Sequence, residues 1–383
     1  MQLIAWSIPA FIALIALEAW VARRRGLRIY RLPVAICDLS CGITSQLFNL
    51  ATFGLGVLVY AWVYQGRIFE LDAGSAWVWL LAMLGVDLLY YVWHRASHEV
   101  NFLWAAHIVH HHSEDYNLAV ALRQALLTSL TALPFFLPLA LLGVPPLVYA
   151  VAKSLNLLYQ FWIHTELVGR LGPLEHVLNT PSHHRVHHAI NPRYLDRNYA
   201  GILITWDRIF GSFEPERERP VYGTTKPLRS LNPLWANLHY FAEITALIAA
   251  APRWRDRLYA LVAHPGWRPG MTSAADASEA FEASEYHLDP AALRQRASHR
   301  YDPSVRPALT LYIAVQALLG IPATMLLLIH GPSLAPSQVL AGVALLGAGA
   351  VAWAGLFERH RWAWPLEVLR VAASVALLRS IVG

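Results

Sequence analysis

The sequence predicts an all-α integral membrane protein with about eight transmembrane helices. Of its 383 residues, 56% are hydrophobic and only 14% are charged, whereas soluble domains carry roughly 25% charged residues. Apolar stretches of about 20 residues, the length that crosses a hydrocarbon core as a helix, recur as far as the C-terminus, so a signal peptide cannot explain them. In addition, 12 of the 18 histidines lie between His94 and His188. This clustering indicates a histidine-rich cap on the helices.

Length and hydropathy support each predicted span. The spans fall at about residues 3–22, 34–64, 75–93, 119–142, 144–163, 307–330, 337–356 and 364–382. The second is long enough to be kinked or partly interfacial. The fourth and fifth are joined by Gly143-Val144-Pro145-Pro146, a turn so short that these two helices are expected to form an antiparallel hairpin.

The short loops predict the orientation in the membrane. Arginines follow the first span and separate the last two, whereas the loops at 65–74 and 331–336 together hold one Arg. Because short cytoplasmic loops are enriched in Lys and Arg, residues 94–117 and 164–306 are expected on the cytoplasmic face. The net charge of +5 arises from 28 Arg and 2 Lys, which is typical of a high-GC genome and favours a bacterial inner membrane.

Four regions follow from this pattern. They are residues 1–33, an N-terminal transmembrane helix and basic loop; 34–235, the histidine-bearing membrane domain; 236–306, a cytoplasmic interfacial segment with a Ser/Ala/Glu-rich stretch; and 307–383, a C-terminal three-helix membrane region. No basic run is interleaved with aromatic residues, so nucleic acid is not an expected partner. Cys37 and Cys41 are expected to be small buried residues rather than a disulfide or a metal site.

Three groups of histidines have spacings that put their rings on one helical face. They are His94 and His98; His107, His110 and His111; and His184, His187 and His188. One octahedral ion has six positions and must leave some open for oxygen, so eight histidines exceed one catalytic site and indicate two metals. His164 ends the fifth span at the same depth and is a ninth candidate ligand. Imidazole suits iron, zinc and copper alike, so ligand type alone does not choose the metal.

Two other metal-binding classes fit the sequence poorly. His98-Glu99 begins like a metalloprotease helix but lacks the second histidine of H-E-x-x-H. A zinc transporter would place its ligands in the middle of a span, whereas these histidines follow the helix ends.

Three acids near the histidines are candidates for catalytic roles: Asp87, Glu99 and Glu114. An acid at Asp87 is costly in lipid, so it is expected either to hydrogen-bond a ligand imidazole or to pair with a neighbouring helix. Glu99 and Glu114 could orient ligands or bridge metals, or could simply be exposed. The sequence leaves open whether Asn156, Gln160 or His183 joins the metal shell; His112 and His176 are expected to be bystanders.

The three histidine groups resemble those of the fatty acid hydroxylase and sterol desaturase superfamily of membrane di-iron oxygenases. Longer strings resemble the alkylglycerol monooxygenase family within it. They are HIVHHHSEDYN from His107, ALRQ from Ala121, QFWIHTE from Gln160, NTPSHHRVHH from Asn179 and NYAGILITWDRIFGSF from Asn198. The resemblance covers about residues 34–270. One departure is His112, where the family string usually has Ser directly after the paired histidines.

The resemblance implies an iron-dependent monooxygenase that uses tetrahydrobiopterin and O2 to hydroxylate the ether-linked carbon of an alkylglycerol. The hemiacetal would then collapse to a fatty aldehyde and a glycerol derivative. Carried over by position, the eight histidines of the three groups would be the ligands, with Glu99 as the adjacent acid.

The electron donor is expected to be external, either a pterin or a redox protein. A fused cytochrome b5 would show His-Pro-Gly-Gly, whereas this chain has His264-Pro265-Gly266-Trp267; no C-x2-C cluster indicates a fused ferredoxin. Two other functions stay open. One is a sterol or fatty-acyl hydroxylase or desaturase with a protein electron donor, and the other is a non-enzymatic membrane metal-binding protein.

Overall fold

A computed structural model describes residues 2–271 and 288–382 of the chain, and within these ranges it is helical, with two isolated β-bridges and no strand. The helices are α1 (Gln2–Arg24), α2 (Leu32–Gln65), α3 (Ala76–Glu99), α4 (Asn101–Ala105), α5 (Ile108–His111), α6 (Leu118–Ala121), α7 (Thr128–Leu141), α8 (Pro146–Trp162), α9 (Pro181–His187), α10 (Thr205–Phe210), α11 (Pro233–Ala250), α12 (Trp254–Val262), α13 (Pro290–Ser298), α14 (Pro307–His330), α15 (Pro336–Phe357) and α16 (Ala363–Val382). The Ser/Ala/Glu-rich stretch at 272–287 lies outside the described residues.

Among the described residues, five helices are long and apolar enough to cross a membrane. These candidate spans are Leu3–Arg24, Leu32–Thr52, Ala76–Glu99, Pro307–Ser333 and Pro336–Phe357, and they correspond to α1, α2, α3, α14 and α15. The all-α membrane fold predicted from the sequence is therefore confirmed, with five of the eight expected spans meeting both criteria. The chain is an integral membrane protein.

The prediction of a single helix spanning about residues 119–142 was wrong. The helix stops after Ala121, and α7 begins at Thr128. Arg123 lies in the break with its guanidinium buried, where it donates to the Asp38 carboxylate at 3.0 Å and to the Val109 carbonyl at 2.6 Å. A buried cation needs such partners, and the irregular backbone lets Arg123 turn inward to them.

Helices α7 and α8, which the sequence predicts as an antiparallel hairpin, both pack against α3, and the Phe136 ring of α7 lies 5.6 Å from the Tyr149 ring of α8. Both helices are short. They contain 14 and 17 residues, which is about 21 and 26 Å at 1.5 Å per residue, short of a core of about 30 Å. Helix α16 has 20 residues but carries a buried ion pair, Glu367–Arg370 at 2.6 Å. Neither the hairpin nor α16 is among the five candidate spans.

Helix α2 lies at the centre of the bundle. It packs against α7 on one side and against α14 and α15 on another, while α3 packs against α7 and α8. Near the α7–α8 turn, the Tyr60 ring of α2 stacks on the Tyr149 ring of α8 with a centroid separation of 4.1 Å. Cys37 and Cys41 are buried and free, which confirms the expectation that they are small buried residues. The C-terminal end of α3 meets the short helices that carry the other histidines.

Candidate metal centre

Nine buried histidines converge at the C-terminal end of α3 and form two groups. Group A consists of His94, His98, His107, His111 and His187; group B consists of His110, His164, His184 and His188. Within each group, one ring nitrogen per residue can be chosen so that all of them lie within 4.8 Å of one another. These nine are the nine candidate ligands of the sequence. Histidines that are adjacent in the sequence fall into different groups: His110 and His188 belong to group B, whereas His111 and His187 belong to group A.

Short buried helices bring these rings together. Helix α3 supplies two histidines of group A from its last two turns, α5 and α9 supply both groups, and His164 follows the end of α8. Helix α9 begins with Pro181, whose missing N–H suits a first helical position. Because α5 and α9 have only four and seven residues, tertiary contacts must hold them in place.

Backbone carbonyls orient several of the rings through Nδ1. The Nδ1 atom of His94 lies 2.7 Å from the Tyr199 carbonyl, that of His110 lies 2.9 Å from the Arg123 carbonyl, and that of His164 lies 2.7 Å from the Gln160 carbonyl. A carbonyl only accepts hydrogen bonds, so Nδ1 of these rings must carry the proton. The Nε2 atom of a neutral ring is then left with a free lone pair. Outer carbonyls of this kind commonly fix the tautomer of metal-bound histidines.

The Nε2 atoms lie at separations that neutral rings cannot explain by hydrogen bonding. His110 Nε2 and His164 Nε2 are 3.3 Å apart, yet both rings are protonated on Nδ1, so two lone pairs face each other. In group A, Nε2 of His98 and Nε2 of His187 are buried without a hydrogen-bond partner. Bonds of about 2.1 Å at right angles would put two ligand nitrogens about 3.0 Å apart. The donor set thus fits a cation at the centre of each group.

Burial keeps several of the rings that follow α3 uncharged. It lowers the pKa of His110 to about 4 and holds the pKa of His107, His184 and His188 well below the usual range; the neighbouring histidines add to the shift. These four rings are therefore neutral near pH 7, which is the state in which imidazole binds metals.

We expect the metal-free protein to lose stability as the pH falls from about 6.5 towards about 4. Histidine in the unfolded chain has a pKa of about 6.5, whereas that of His110 in the fold is about 4. Between these values the unfolded chain binds protons that the native chain does not, so acid favours unfolding. Thermal unfolding of metal-free protein in detergent, measured at pH values of about 7.5, 6 and 5, checks this. A midpoint that stays constant or rises on acidification contradicts it.

Among the described contacts, the Asp87 carboxylate is hydrogen-bonded to a loop and not to an imidazole. Its carboxylate accepts hydrogen bonds from the backbone N–H groups of Ile202 and Leu203 at 2.7 and 3.0 Å, and from the side chains of Trp206 and Asn156 at 2.9 and 2.7 Å. The same loop carries the Tyr199 carbonyl that lies against His94. Asp87 thus holds the segment that orients a ring of group A.

Asp87→Ala is expected to destabilise the protein by about 3 kcal/mol, since it leaves four donors without their charged acceptor. Metal bound per chain should fall as well, because the loop that orients His94 loosens. Thermal unfolding and metal analysis in detergent measure both effects. Asp72→Ala is the control, since the Asp72 side chain is exposed and accepts only from Gly74 N–H at 2.8 Å among its described contacts. Equal effects of the two substitutions would contradict the role given to Asp87.

The two glutamates lie at the edge of the centre. Glu99 is about half exposed and pairs with Arg95 at 2.8 Å on the same helix. Glu114 accepts a hydrogen bond from Tyr301 N–H at 2.6 Å and lies 3.8 Å from Arg31. Glu114 thus connects the histidine-bearing segment to residues before α2 and before α14.

The sequence left open whether Asn156, Gln160 and His183 join the metal shell, and the structure shows what each of them contacts. The Gln160 amide donates to the Asn156 side chain at 2.7 Å, and Asn156 donates to Asp87, so these three form a chain beside His164. His183 is buried against Phe213, with ring centroids 5.3 Å apart, and lies outside both groups. His112 is also outside them, beside His239.

Sequence reasoning missed the residues that orient the rings. The carbonyls of Arg123, Arg197 and Tyr199 lie against histidine Nδ1 atoms, and a backbone contact has no residue-type signature. The Asp196 carboxylate lies 3.2 Å from His98 Nδ1, and Asp207 accepts from Tyr199 N–H at 2.8 Å. The only signal for Asp196 in the sequence was a carboxylate eight residues after the last histidine group.

Comparison with known proteins gives consistent relatives. Residues 79–212 match the family model described as fatty acid hydroxylase. The chain is 39% identical over 377 residues to alkylglycerol monooxygenase of Danio rerio, covering 97% of this chain and 81% of that protein. It is 46% identical over 268 residues to the human protein of that name, covering 69% of this chain and 60% of the human one, and 46% identical over 253 residues to that of Xenopus tropicalis, covering 66% and 56%. No solved structure matches significantly.

Apolar helices that end in two groups of buried histidines define an integral membrane protein with a polyhistidine centre. The chain belongs to the alkylglycerol monooxygenase family, whose members share its histidine-bearing region. The matched regions span 60% and 56% of the human and Xenopus tropicalis relatives.

Proposed function

We propose that this protein is a membrane di-iron monooxygenase that hydroxylates a lipid C–H bond with O2. The observation that carries the proposal is the pair of adjacent histidine groups, in which carbonyl-oriented rings turn bare Nε2 atoms towards one another. Groups A and B would each hold one iron. Bound iron would supply the redox chemistry that activates O2.

The protein itself positions the ligand rings and excludes water from them. The carbonyls of Tyr199, Arg123 and Gln160 hold three ligand rings in the tautomer that is protonated on Nδ1, which leaves the Nε2 atom of each ring available to a metal. All nine histidines are at most 7% exposed. Burial keeps water from the ligands and suits a reaction whose reactive species would otherwise attack solvent.

The substrate we propose is an alkylglycerol, because the chain belongs to this family and its relatives are alkylglycerol monooxygenases. Hydroxylation of the ether-linked carbon consumes one O2, two electrons and two protons, with one oxygen atom entering the lipid and the other leaving as water. The hemiacetal then breaks its C–O bond to the glycerol oxygen and releases a fatty aldehyde. Tetrahydrobiopterin is the donor that family membership favours.

We place the catalytic unit at residues 34–235, which contain the matched segment 79–212. The basic loop after α1 supports a cytoplasmic active site, with eight membrane helices in all and the α7–α8 hairpin inserted from that side. A bacterial inner membrane fits the arginine-rich composition.

The test is an assay of purified, iron-loaded protein in detergent with a long-chain alkylglycerol, O2 and tetrahydrobiopterin. Fatty aldehyde formed in proportion to pterin oxidised supports the proposal. Release of aldehyde from an ether lipid distinguishes the proposed activity from that of a sterol or fatty-acyl hydroxylase. Such an enzyme would act on sterols or fatty-acyl lipids instead. Stoichiometric zinc in an active protein, or folded iron-loaded protein that oxidises no lipid, would overturn it.

A further inference from the structure

A cavity of about 680 Å³ opens beside the first turns of α14 and α16. Its walls come from the segment 305–312 at the start of α14, from Arg359 in the turn between α15 and α16, and from Trp364 in the first turn of α16. The volume falls within the range of about 300–1,000 Å³ that small-molecule sites occupy. None of the nine histidines is among the described residues that line it, so the cavity is separate from the metal centre.

The cavity lies at one boundary of the membrane. Helices α14 and α15 are candidate spans joined by a short turn at 331–335, so the start of α14 lies at the same boundary as the end of α15. Helix α16 follows after another short turn and packs against α15. Trp364 is 54% exposed, and tryptophan is enriched where headgroups meet acyl chains. A long molecule in this cavity would therefore have one end among headgroups and the other among acyl chains.

Most of the cavity wall is apolar. Val305, Leu309 and Tyr312 are partly buried and pack against the hydrophobic core that α2, α14 and α15 share, so their positions are fixed. The Tyr312 hydroxyl already donates to the Glu367 carboxylate at 2.7 Å, which leaves the Tyr312 ring as the surface offered to a ligand. Trp364 adds a second ring. A wall of this kind favours contact with a hydrocarbon chain over contact with water.

Two arginines lie in the same lining. Arg306 is exposed, and its side chain has no acceptor among the described residues. Arg359 is exposed as well, and its one described side-chain hydrogen bond runs to the Ser304 carbonyl. A guanidinium carries five N–H donors, so both side chains keep donors for a ligand. Their charges attract an anion to this cavity.

The acids near this lining do not neutralise the two arginines. Glu358 accepts from Leu231 N–H at 2.5 Å, and Glu367 pairs with Arg370 at 2.6 Å. Asp302 is exposed, and none of these three acids is among the described residues that line the cavity. The first turns of α14 and α16 add the partial positive charge of helix N-termini. The cavity therefore has a positive lining beside an apolar wall.

This combination favours an amphiphile with a negative headgroup. A free anion would pair with the arginines but leave the apolar wall uncovered, and a neutral lipid would cover the wall but leave the arginines unpaired. The alkylglycerol that we propose as substrate is uncharged and must reach the histidines, which lie elsewhere. A phospholipid of net negative charge matches both parts, and basic pockets between membrane helices bind headgroups of this kind.

We propose that the cavity binds an anionic phospholipid of the surrounding membrane, with its phosphate against Arg306 and Arg359 and the start of one acyl chain against Leu309 and Trp364. Arginine would donate charge-assisted hydrogen bonds to the phosphate oxygens, and the acyl chain would cover the apolar wall. This inference is independent of the proposed function, since lipid binding here involves neither a metal nor an oxidation.

Bound lipid would also hold the segment that contacts the loop after α5. Arg300 pairs with Asp115 at 2.7 Å, and Tyr301 N–H donates to the Glu114 carboxylate at 2.6 Å. Both acids follow the histidines of α5, and the segment that begins with Arg300 continues into the cavity lining. We therefore expect an anionic phospholipid to raise the melting temperature of the protein more than a neutral one does.

Binding is measured by native mass spectrometry of the full chain in neutral detergent, titrated with dioleoylphosphatidylglycerol. We expect the protein to prefer this lipid to dioleoylphosphatidylcholine and to retain it in excess inorganic phosphate. The Arg306→Gln, Arg359→Gln variant should bind it about 25-fold more weakly, since each arginine near an anionic headgroup contributes about a factor of five. Ala308→Trp keeps both charges but fills the cavity from an exposed position, so it should lose the lipid too.

The matched control is Arg23→Gln, Arg24→Gln, which removes the same charge from two exposed arginines at the end of α1. It should bind the lipid as the wild type does. The melting temperature in lipid-free detergent reports whether each variant keeps its fold. If the double variant unfolds, Arg306→Gln alone, with an expected loss of about fivefold, and Ala308→Trp still test the site.

Equal losses in the two pairs of arginine variants would overturn the inference, because the attraction would then belong to surface charge in general. Equal affinity for phosphatidylcholine would overturn it as well, and so would displacement of the lipid by inorganic phosphate, which would leave a neutral groove or an anion site only. Wild-type binding by Ala308→Trp would place the lipid outside the cavity. Preference for phosphatidylglycerol that the cavity variants lose and the α1 variant keeps supports the inference.

Discussion

His188→Ala protein should bind about one iron per chain where the wild type binds about two. His188 belongs to group B, in which its Nε2 atom lies 3.2 Å from that of His184. Loss of an outer-shell partner alone commonly costs 10- to 100-fold in metal affinity, so loss of a direct ligand should cost at least about 100-fold. The reaction we propose needs both metals, and turnover should fall to background.

His187→Ala makes the same test on group A and should also leave about one iron. Metal analysis of purified protein, with lipid oxidation assayed beside it, gives the result. His176→Ala is the matched control, because His176 is exposed and outside both groups. If both group variants keep two irons, or if the His176 variant loses as much metal as they do, the assignment of ligands is wrong.

Arg123→Ala should be among the most destabilising substitutions in the chain. The Arg123–Asp38 pair is 3.0 Å long with side chains only 3% and 0% exposed. Removing one partner of such a buried pair leaves the other charge without compensation and costs about 3–5 kcal/mol. The Cys37 thiol, 3.2 Å from the same guanidinium, would lose its neighbour too.

The metal centre should also respond, because the Arg123 carbonyl orients His110. The melting temperature in detergent and the iron content are the two measurements. Arg67→Ala is the matched control, since the Arg67–Glu70 pair is 30% and 87% exposed and such pairs contribute at most about 1 kcal/mol. The double variant Arg123→Met, Asp38→Leu should recover part of the loss, because it leaves no unpaired charge. Equal melting shifts for the Arg123 and Arg67 variants would refute this account.

Helical periodicity allowed most of the histidines of the metal centre to be predicted from the sequence. Spacings of three and four residues put histidines on one face wherever the local structure is helical, and α3, α5 and α9 contain six of these eight histidines, with His107 just before α5 and His188 just after α9. His164 could be found because it ends an apolar segment at the depth of the others. The burial of Cys37 and Cys41 could be predicted from the apolar residues around them in the sequence.

The spans were harder to read, because hydropathy reports composition and not continuity. The stretch 119–142 is apolar enough to suggest one helix, but Arg123 breaks it to reach Asp38 on α2. That partner lies 85 residues away in the chain, and no window of about 20 residues can include both.

The sequence by itself determined the inventory: apolar helices, eight histidines at helical spacing, and His164 at the end of an apolar segment. Only the tertiary structure decided how those histidines divide, with His110 in one group and His111 in the other, and His187 likewise apart from His188. Consecutive side chains on a helix point about 100° apart, so each of these pairs must face two directions, and the packing of α3, α5, α8 and α9 supplies a partner group in each. The tertiary structure likewise supplied the Nδ1 partners, because a carbonyl from a distant segment can orient a ring whatever side chain it carries.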